Sequence, residues 1–183
     1  MDRERAMRAV RELLEALGED VSREGLKDTP RRVADAFAEF TGGESMSAEE
    51  ALSTTFNVDG GDMVIEKDIA FSSTCEHHLM PFFGRVAIAY IPDRKVVGLS
   101  KLARCVEVFA HRLQLQERLT EQLASAIMEY LAPKGVMVWC EAEHTCMTCR
   151  GVKKAGSKTV TYKVKGDFPR EKIAEVLAVI KCS

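Results

Sequence analysis

A thiol, a carboxylate and two imidazoles occupy four consecutive positions, Cys75 to His78, in the segment 73-STCEHHLMPFFG-84. Two of the four histidines in the chain are neighbours here, and Cys75 is separated from His78 by two residues. This spacing allows a thiolate and an imidazole to reach one ion from a tight turn. The segment therefore predicts part of a metal site.

A second group with the same chemistry follows far downstream, in 141-EAEHTCMTCRG-151. It contains His144, Cys146 and Cys149, directly after a predicted strand. A metal bound by both thiolates and imidazoles is expected to be zinc, because this borderline-soft ion accepts sulfur and nitrogen together. The remaining histidine, His111, stands alone in a helical pattern and is interpreted as an ordinary packing or surface residue.

Two kinds of zinc site fit these residues. A closed structural site would use four protein ligands: Cys75, His78, Cys146 and Cys149. A catalytic site would use three and leave one position for water. Spacing slightly favours the closed site, whereas the two further imidazoles, His77 and His144, favour catalysis because they can transfer protons beside the metal. A redox Cys-x-x-Cys pair is a third interpretation, but the usual helix start after a first strand is missing.

The composition of the chain excludes several classes of partner. The 183 residues carry a formal charge of −2 and a pI near 6.1, so no global positive field favours nucleic acid or an anionic membrane. No apolar run approaches the roughly 20 residues of a membrane span, and the charged N-terminus lacks a signal core. We therefore predict a cytoplasmic protein. In that reducing compartment the six cysteines are expected to be core residues or metal ligands.

The first part of the chain is predicted to be helical. Apolar residues recur at helical spacing over 3–17, and Pro30 marks the first turn of a helix over 28–40. The segment 47-SAEE-50 is a capping box that predicts a short helix. Residues 1–55 are therefore interpreted as an N-terminal helical segment.

The pattern then changes to strands and helices in the order strand, strand, helix, helix, strand, strand, helix. The helical part covers 100–131, and a last helix begins near Pro169. The four strands are predicted over 62–71, 83–91, 136–144 and 158–166. Two hairpin-like pairs favour an α+β fold with a four-stranded antiparallel sheet and helices on one face. We expect residues 56–183 to form one functional unit, and such a small sheet makes assembly of sheets between subunits plausible.

Several long motifs resemble one enzyme family. The chain is similar to the zinc-dependent type I GTP cyclohydrolases from about residue 8 onward. The matching segments are CEHHLMPFFGRVAIAYIP, GLSKLARCVEVFA, QERLTEQLA and EAEHTCMTCRGVKKAGSKTV. The resemblance implies the tunnelling fold and a homodecamer of two pentamers with active sites between subunits. It also implies conversion of GTP and water to 7,8-dihydroneopterin triphosphate and formate, the first step of pterin and folate synthesis. In that reaction, zinc-activated water attacks carbon-8 of guanine, and an Amadori rearrangement and ring closure follow.

The resemblance also implies a role for each matching residue. The expected zinc ligands are Cys75, His78 and Cys146. The expected catalytic residues are His77 and His144, with their division of proton transfers left open. The positions expected at the guanine edge are Gln116 and Glu117. The positions expected around the triphosphate are Ser100, Lys101, Arg104 and Arg150.

The chemistry of these side chains is suited to GTP without reference to the family. The carboxylate of Glu117 can accept hydrogen bonds from a ring N–H and an exocyclic amine together. Lys101 and Arg104 are one helical turn apart, so both can face one anion. Arg150 presents a planar fork suited to phosphate oxygens.

Cys149 departs from the family pattern, in which methionine or another non-thiol residue is expected at this position. We therefore predict that Cys149 is required neither for zinc nor for turnover.

Two rival functions remain at this level. A zinc-stabilised module with a closed site could bind RNA or another anion through the basic residues around Arg150. Related tunnelling-fold enzymes act on pterins or deazapurines. However, those enzymes use a three-histidine zinc site or a catalytic cysteine without zinc, and neither pattern matches Cys75, His78 and Cys146.

Overall fold

A computed structural model describes residues 1–182 and divides the chain into two compact units, Met1–Gly42 and Gly43–Ser183. The boundary predicted from the sequence lies elsewhere, between an N-terminal helical segment (1–55) and one functional unit (56–183), and it stays a prediction. Among the described residues, none of the helices combines the length and the apolar character that a membrane span requires.

The first unit is a pair of packed helices, α1 (Arg3–Ala16) and α2 (Thr29–Phe40), as the sequence predicts. Helix α1 begins where the Asp2 carboxylate accepts a hydrogen bond of 2.9 Å from the backbone N–H of Arg5. It ends at Ala16, and Gly18, two residues later, has a φ of +83° that glycine adopts readily. An ion pair between Arg3 and Asp35 connects the two helices.

The described part of the second unit contains seven strands and five α-helices, and the four strands predicted from the sequence are close to their observed bounds. The strands are β1 (Thr55–Asn57), β2 (Val64–Cys75), β3 (Pro81–Ile91), β4 (Lys95–Val97), β5 (Leu113–Gln114), β6 (Gly135–His144) and β7 (Lys158–Gly166). The helices are α3 (Ala48–Ala51), α4 (Leu99–Ala110), α5 (Gln116–Ala126), α6 (Thr145–Thr148) and α7 (Arg170–Lys181). Helix α3 has the predicted cap, because the Ser47 hydroxyl accepts from the N–H of Glu50. A π-helical turn, Ile127–Leu131, continues α5.

The main sheet differs from the predicted four-stranded antiparallel sheet. It has five strands in the order β5-β2-β3-β6-β7, and β5 runs parallel to β2 while the other pairs are antiparallel. Strands β1 and β4 form a separate two-stranded sheet. The prediction was wrong in this detail because β5 is only two residues long and has no alternation to detect.

Helices α4 and α5 pack on one face of the main sheet and enclose the larger core. Alternate residues of the central strands point into this core, including Val86 and Ile88 of β3 and Val138 and Cys140 of β6. All four are fully buried.

Helix α7 packs on the opposite face, so the prediction of helices on one face only is also wrong. Val176 of α7 clusters with Ala89 of β3 and Met137 of β6, the residues that alternate with the main core positions. Because these strands carry apolar residues on both faces, each face is stabilised by helical cover.

The contact of α5 with β7 includes a cluster of opposite charges that predicts a pH-dependent stability. Glu121 on α5 forms ion pairs of 2.7 Å with Lys163 and 2.5 Å with Lys165. Hydrogen bonds from Lys163 and then Lys165 lower the pKa of Glu121 from 4.5 to about 2. The folded state therefore holds the proton less strongly than the unfolded state, and the stabilisation is present above pH 4.5 and is lost as the pH falls toward 2.

We expect Glu121→Gln to lower the free energy of unfolding by at most about 1 kcal/mol at neutral pH, because the carboxylate is 42% exposed and screened by solvent. The difference from wild type should shrink as the pH falls below 4.5. Urea unfolding at several pH values measures it, with Glu24→Gln as a control at another exposed carboxylate. A difference that does not change with pH would contradict this assignment.

Candidate metal centre and active site

The register of the sheet places the two chemical segments at the same end. Ser73 of β2 pairs with Phe82 of β3, and Phe82 pairs with His144 at the end of β6. Cys75 lies two residues after Ser73, at the end of β2. Cys146 lies two residues after His144, in α6. Strand pairing therefore brings together residues that are 71 positions apart in the chain.

A tight turn after β2 brings His78 close to Cys75. The carbonyl of Cys75 accepts hydrogen bonds from the N–H groups of His78 and Leu79, at 3.4 and 2.9 Å. Leu79 has φ +54°, a left-handed conformation that is costly for a residue with a branched side chain. The Sγ of Cys75 then lies 3.8 Å from Nδ1 of His78.

Cys146 completes a group of three ligand atoms. The ligand atoms of Cys75, His78 and Cys146 all lie within 4.8 Å of one another. Cys75 is 6% exposed, whereas His78 is exposed to solvent. The group thus has one side in the protein core and one side open to solvent, an arrangement in which a bound metal remains accessible to small molecules.

Nearby charges act on the thiol of Cys146. Burial is the main cause that raises its pKa, and the adjacent Cys75 thiol adds to the increase. The positive charge of Arg150 acts in the opposite direction. Arg150 therefore lies close enough to affect the metal group electrostatically, although its own side chain is exposed.

Cys149 is not a member of this group. Its thiol is exposed and donates a hydrogen bond of 2.7 Å to the carbonyl of Thr145 within the same helical turn. The described residues therefore bring together a group of three candidate ligands that does not include Cys149. All six cysteines are free thiols.

His144 is held between an aromatic ring and a buried amide. Its imidazole stacks on Phe82 with ring centroids 4.5 Å apart and an interplanar angle of 4°. Its Nε2 lies 2.8 Å from Oε1 of Gln116 at the start of α5. Burial lowers the pKa of His144 below the usual value for histidine, and the charge of Glu117 partly opposes this shift.

The other predicted residues lie at three places: the metal turn, the start of α5 and the start of α4. His77 is exposed at the metal turn. Glu117 is exposed at the start of α5. Three residues predicted around the triphosphate lie in the first turns of α4: Ser100, Lys101 and Arg104. Within residues 1–182, no hydrogen bond or ion pair connects this α4 group to the metal group.

Two contributions to the site were not found from the sequence. Phe82 supports His144 by stacking, and only the register between β3 and β6 reveals that contact. Glu76 forms an ion pair with Arg118 of α5, which fixes the metal turn to the helix that carries Gln116. Glu76 was visible in the motif as the carboxylate between Cys75 and His77, but its partner lies 42 residues away.

Comparison with known proteins identifies the family. The model of the GTP cyclohydrolase I family matches residues 6–181. The chain belongs to this family. It is 57% identical over 168 residues to GTP cyclohydrolase 1 of Clostridium perfringens strain 13, with 92% of this chain and 91% of the relative covered. It is 56% identical over 183 residues to GTP cyclohydrolase 1 of Carboxydothermus hydrogenoformans, with coverages of 98% and 95%.

Membership of the GTP cyclohydrolase I family establishes that the chain is an enzyme, a hydrolase, and confirms the resemblance found in its motifs. A zinc-stabilised binding module is therefore not the function of this chain. The solved apo structure of the archaeosine synthase QueF-Like aligns with a TM-score of 0.47 at 18% identity, covering 60% of this chain and 98% of that one. That likeness is too low to bear on function.

The three-member group predicts how metal content responds to cysteine substitution. We expect Cys149→Ser to retain the wild-type content of bound transition metal, because its thiol bonds to Thr145 instead of joining the group. We expect Cys146→Ser to lose most of the metal, because one of three ligands is removed. Elemental analysis of the purified proteins measures both. Loss of metal from Cys149→Ser would restore the closed four-ligand site.

Proposed function

We propose that this enzyme converts GTP and water to 7,8-dihydroneopterin triphosphate and formate. One observation carries the proposal beyond family membership. Among residues 1–182, the group of Cys75, His78 and Cys146 offers three ligands and no fourth, and two further imidazoles, His77 and His144, lie in the same segments. The resemblance makes this reaction the first step of pterin and folate synthesis, and we propose that it takes place in the cytoplasm.

Zinc is the metal that we propose for the site. Two thiols and one imidazole are donors that zinc prefers. With Zn–S near 2.3 Å and Zn–N near 2.0 Å, tetrahedral geometry requires sulfur and nitrogen to be about 3.5 Å apart. The 3.8 Å between Sγ of Cys75 and Nδ1 of His78 is close to this value. When bound, zinc supplies Lewis acidity that brings the pKa of water to about 7 and so provides a nucleophile at neutral pH.

The two histidines are proposed to move protons during the reaction. The neutral form of His144, favoured by burial, can accept a proton at neutral pH. His77 is exposed beside the metal turn, where it can donate a proton to the imidazole nitrogen of guanine as that ring opens. The later steps release formate, rearrange the ribose and close the new ring, and each of these steps needs proton transfers that two imidazoles can share.

Recognition of GTP is proposed to use the charges around the site. The exposed carboxylate of Glu117 can accept two hydrogen bonds from the guanine edge. The start of α4 presents Ser100, Lys101 and Arg104 at the positive end of the helix dipole, a favourable environment for an anion. Arg150, whose charge reaches Cys146, is proposed to bind phosphate oxygens near the metal.

The enzyme is proposed to act as a homo-oligomer, with a decamer of two pentamers as the expected state. The α4 group has no bond to the metal group within one described chain, so a neighbouring subunit can supply the phosphate-binding residues to each site. Strand β7 at the edge of the sheet exposes Val160 and Tyr162 by 51% and 63%, which supports burial against another copy.

Light scattering coupled to size-exclusion chromatography tests this assembly. We expect a mass near ten times the 20.3 kDa of one chain. An active monomer would contradict both the decamer and the sharing of residues between subunits.

The test of the proposed reaction is to incubate the zinc-replete protein with GTP and to measure formate and, after oxidation, a fluorescent pterin. Equal amounts of the two products support the complete sequence of ring opening and ring closure. Formate without pterin would show that the reaction stops after deformylation. Absence of both products, with zinc bound, would refute the proposal.

A substitution of His77 separates acid-base catalysis from metal binding. We expect His77→Asn to lower kcat by about 10²- to 10⁴-fold, the usual contribution of a general acid, because the exposed imidazole is not in the metal group. Its zinc content should remain that of wild type. His111→Asn is the control, because His111 pairs with Glu107 on α4 and should leave turnover nearly unchanged.

A further inference from the structure

Gln116 is deeply buried, although the family pattern predicts it at the guanine edge. Its side chain is 1% exposed. The amide nitrogen donates to the carbonyl oxygens of Cys140 and Thr159, at 3.1 and 3.0 Å. It also lies 3.2 Å from Oγ1 of Thr161. All the donor capacity of this amide is therefore directed at strands β6 and β7 and away from a substrate.

A chain of hydroxyl groups supports this orientation of the amide. The hydroxyl of Thr120 donates to the backbone carbonyl of Gln116 at 2.8 Å. Because that hydrogen is committed, the 2.7 Å contact between the two threonine hydroxyls requires Thr161 to donate to Thr120. Thr161 then has a lone pair available for the amide nitrogen of Gln116. A flipped amide would place Oε1 against two carbonyl oxygens, which is repulsive.

The fixed amide determines which nitrogen of His144 carries the proton. Oε1 of Gln116 can only accept, and it lies 2.8 Å from Nε2 of His144. Nε2 of the neutral imidazole must therefore carry the hydrogen, which leaves the lone pair on Nδ1. Stacking on Phe82 at 4.5 Å fixes the plane of the same ring. The orientation of the His144 ring and its tautomer are thus both set by the buried residues Phe82 and Gln116.

We propose that Gln116 is a positioning residue that holds His144 in the Nε2–H tautomer with Nδ1 free to accept a proton in the reaction. The proposal rests on the proposed function, in which His144 transfers protons. It replaces direct contact between Gln116 and guanine, because a 1% exposed amide with both ends bonded has no free group to offer to a ligand.

The first test measures the tautomer itself. Solid-state NMR of protein labelled with ¹⁵N-histidine, at about pH 8, where ordinary histidines are neutral, distinguishes protonated from unprotonated ring nitrogens. Only four histidines contribute, and His144→Asn assigns the signal. We expect wild-type His144 to show protonation at Nε2 alone, and Gln116→Met, which removes the acceptor at similar length, to show a mixture of tautomers.

Two further variants separate positioning from support of the fold. Thr161→Val removes one partner of the Gln116 amide but leaves its Oε1 at His144, so the tautomer should persist even if stability falls. Gln116→Glu retains an oxygen for Nε2 of His144 and, with its second oxygen protonated where the amide nitrogen faces the carbonyl oxygens of Cys140 and Thr159, should keep the Nε2–H tautomer. If Gln116→Met does not fold, the tautomer of wild-type His144 still tests the proposal, because the contact of Nε2 with Oε1 of Gln116 requires Nε2–H.

Kinetics provides the second test. We expect Gln116→Met to lower kcat by about 10- to 100-fold, the usual effect of removing a residue that orients a site group, with KM for GTP changed less than twofold. Gln116→Glu should recover part of kcat. An increase in KM with an unchanged tautomer would overturn the proposal and restore contact with guanine. A wild-type Nδ1–H tautomer would also overturn it.

The experiments can refute the proposed function and the inference about Gln116 independently of each other. If wild-type protein makes no pterin from GTP but shows the Nε2–H tautomer, which Gln116→Met disrupts, then the assigned reaction is wrong while the control of His144 by Gln116 stands. If wild-type protein is active and Gln116→Met retains both its tautomer and its kcat, only the inference about Gln116 is wrong.

Discussion

The pairing of β3 with β6 is the constraint on which the site depends. It places Phe82 opposite His144, and the same register brings the ends of β2 and β6 to one edge of the sheet. Side chains alternate between the two faces of a strand, so a slip of one residue would turn His144 away from the core face. Cys146 would then no longer meet Cys75. The fully buried apolar residues of both strands oppose such a slip, because it would expose the core.

The site combines a rigid buried side with an open side. On the buried side, Gln116 and Phe82 fix the imidazole of His144 through a hydrogen bond and a stacking contact. On the open side, His77 and His78 are exposed in a turn that contains the left-handed Leu79. The ring of His144 is thus held by β6, β7 and α5, whereas the exposed imidazoles of His77 and His78 lie on the connecting turn.

Much of the fold was predictable because the long elements have clear periodicity and caps. Residues such as Ser47 and Pro30 mark helix starts locally, and no distant contact is needed to interpret them. The two-residue β5 has no such signal, since it exists only because β2 lies beside it. The placement of α7 on the second face also depends on packing, because an apolar run in a strand does not indicate which face a given helix covers.

The sequence by itself determined the chemistry of the protein. The spacing of Cys75 and His78, the second thiol segment and the long family motifs were sufficient to predict a zinc-type group and a GTP cyclohydrolase. Tertiary structure decided which candidates meet. It left Cys149 outside the group of three and placed Gln116 behind His144, at 2.8 Å. The physical reason is that ligand type is a property of one side chain, whereas membership of a site and the direction of a hydrogen bond depend on strand register and on which neighbouring donors and acceptors are already paired.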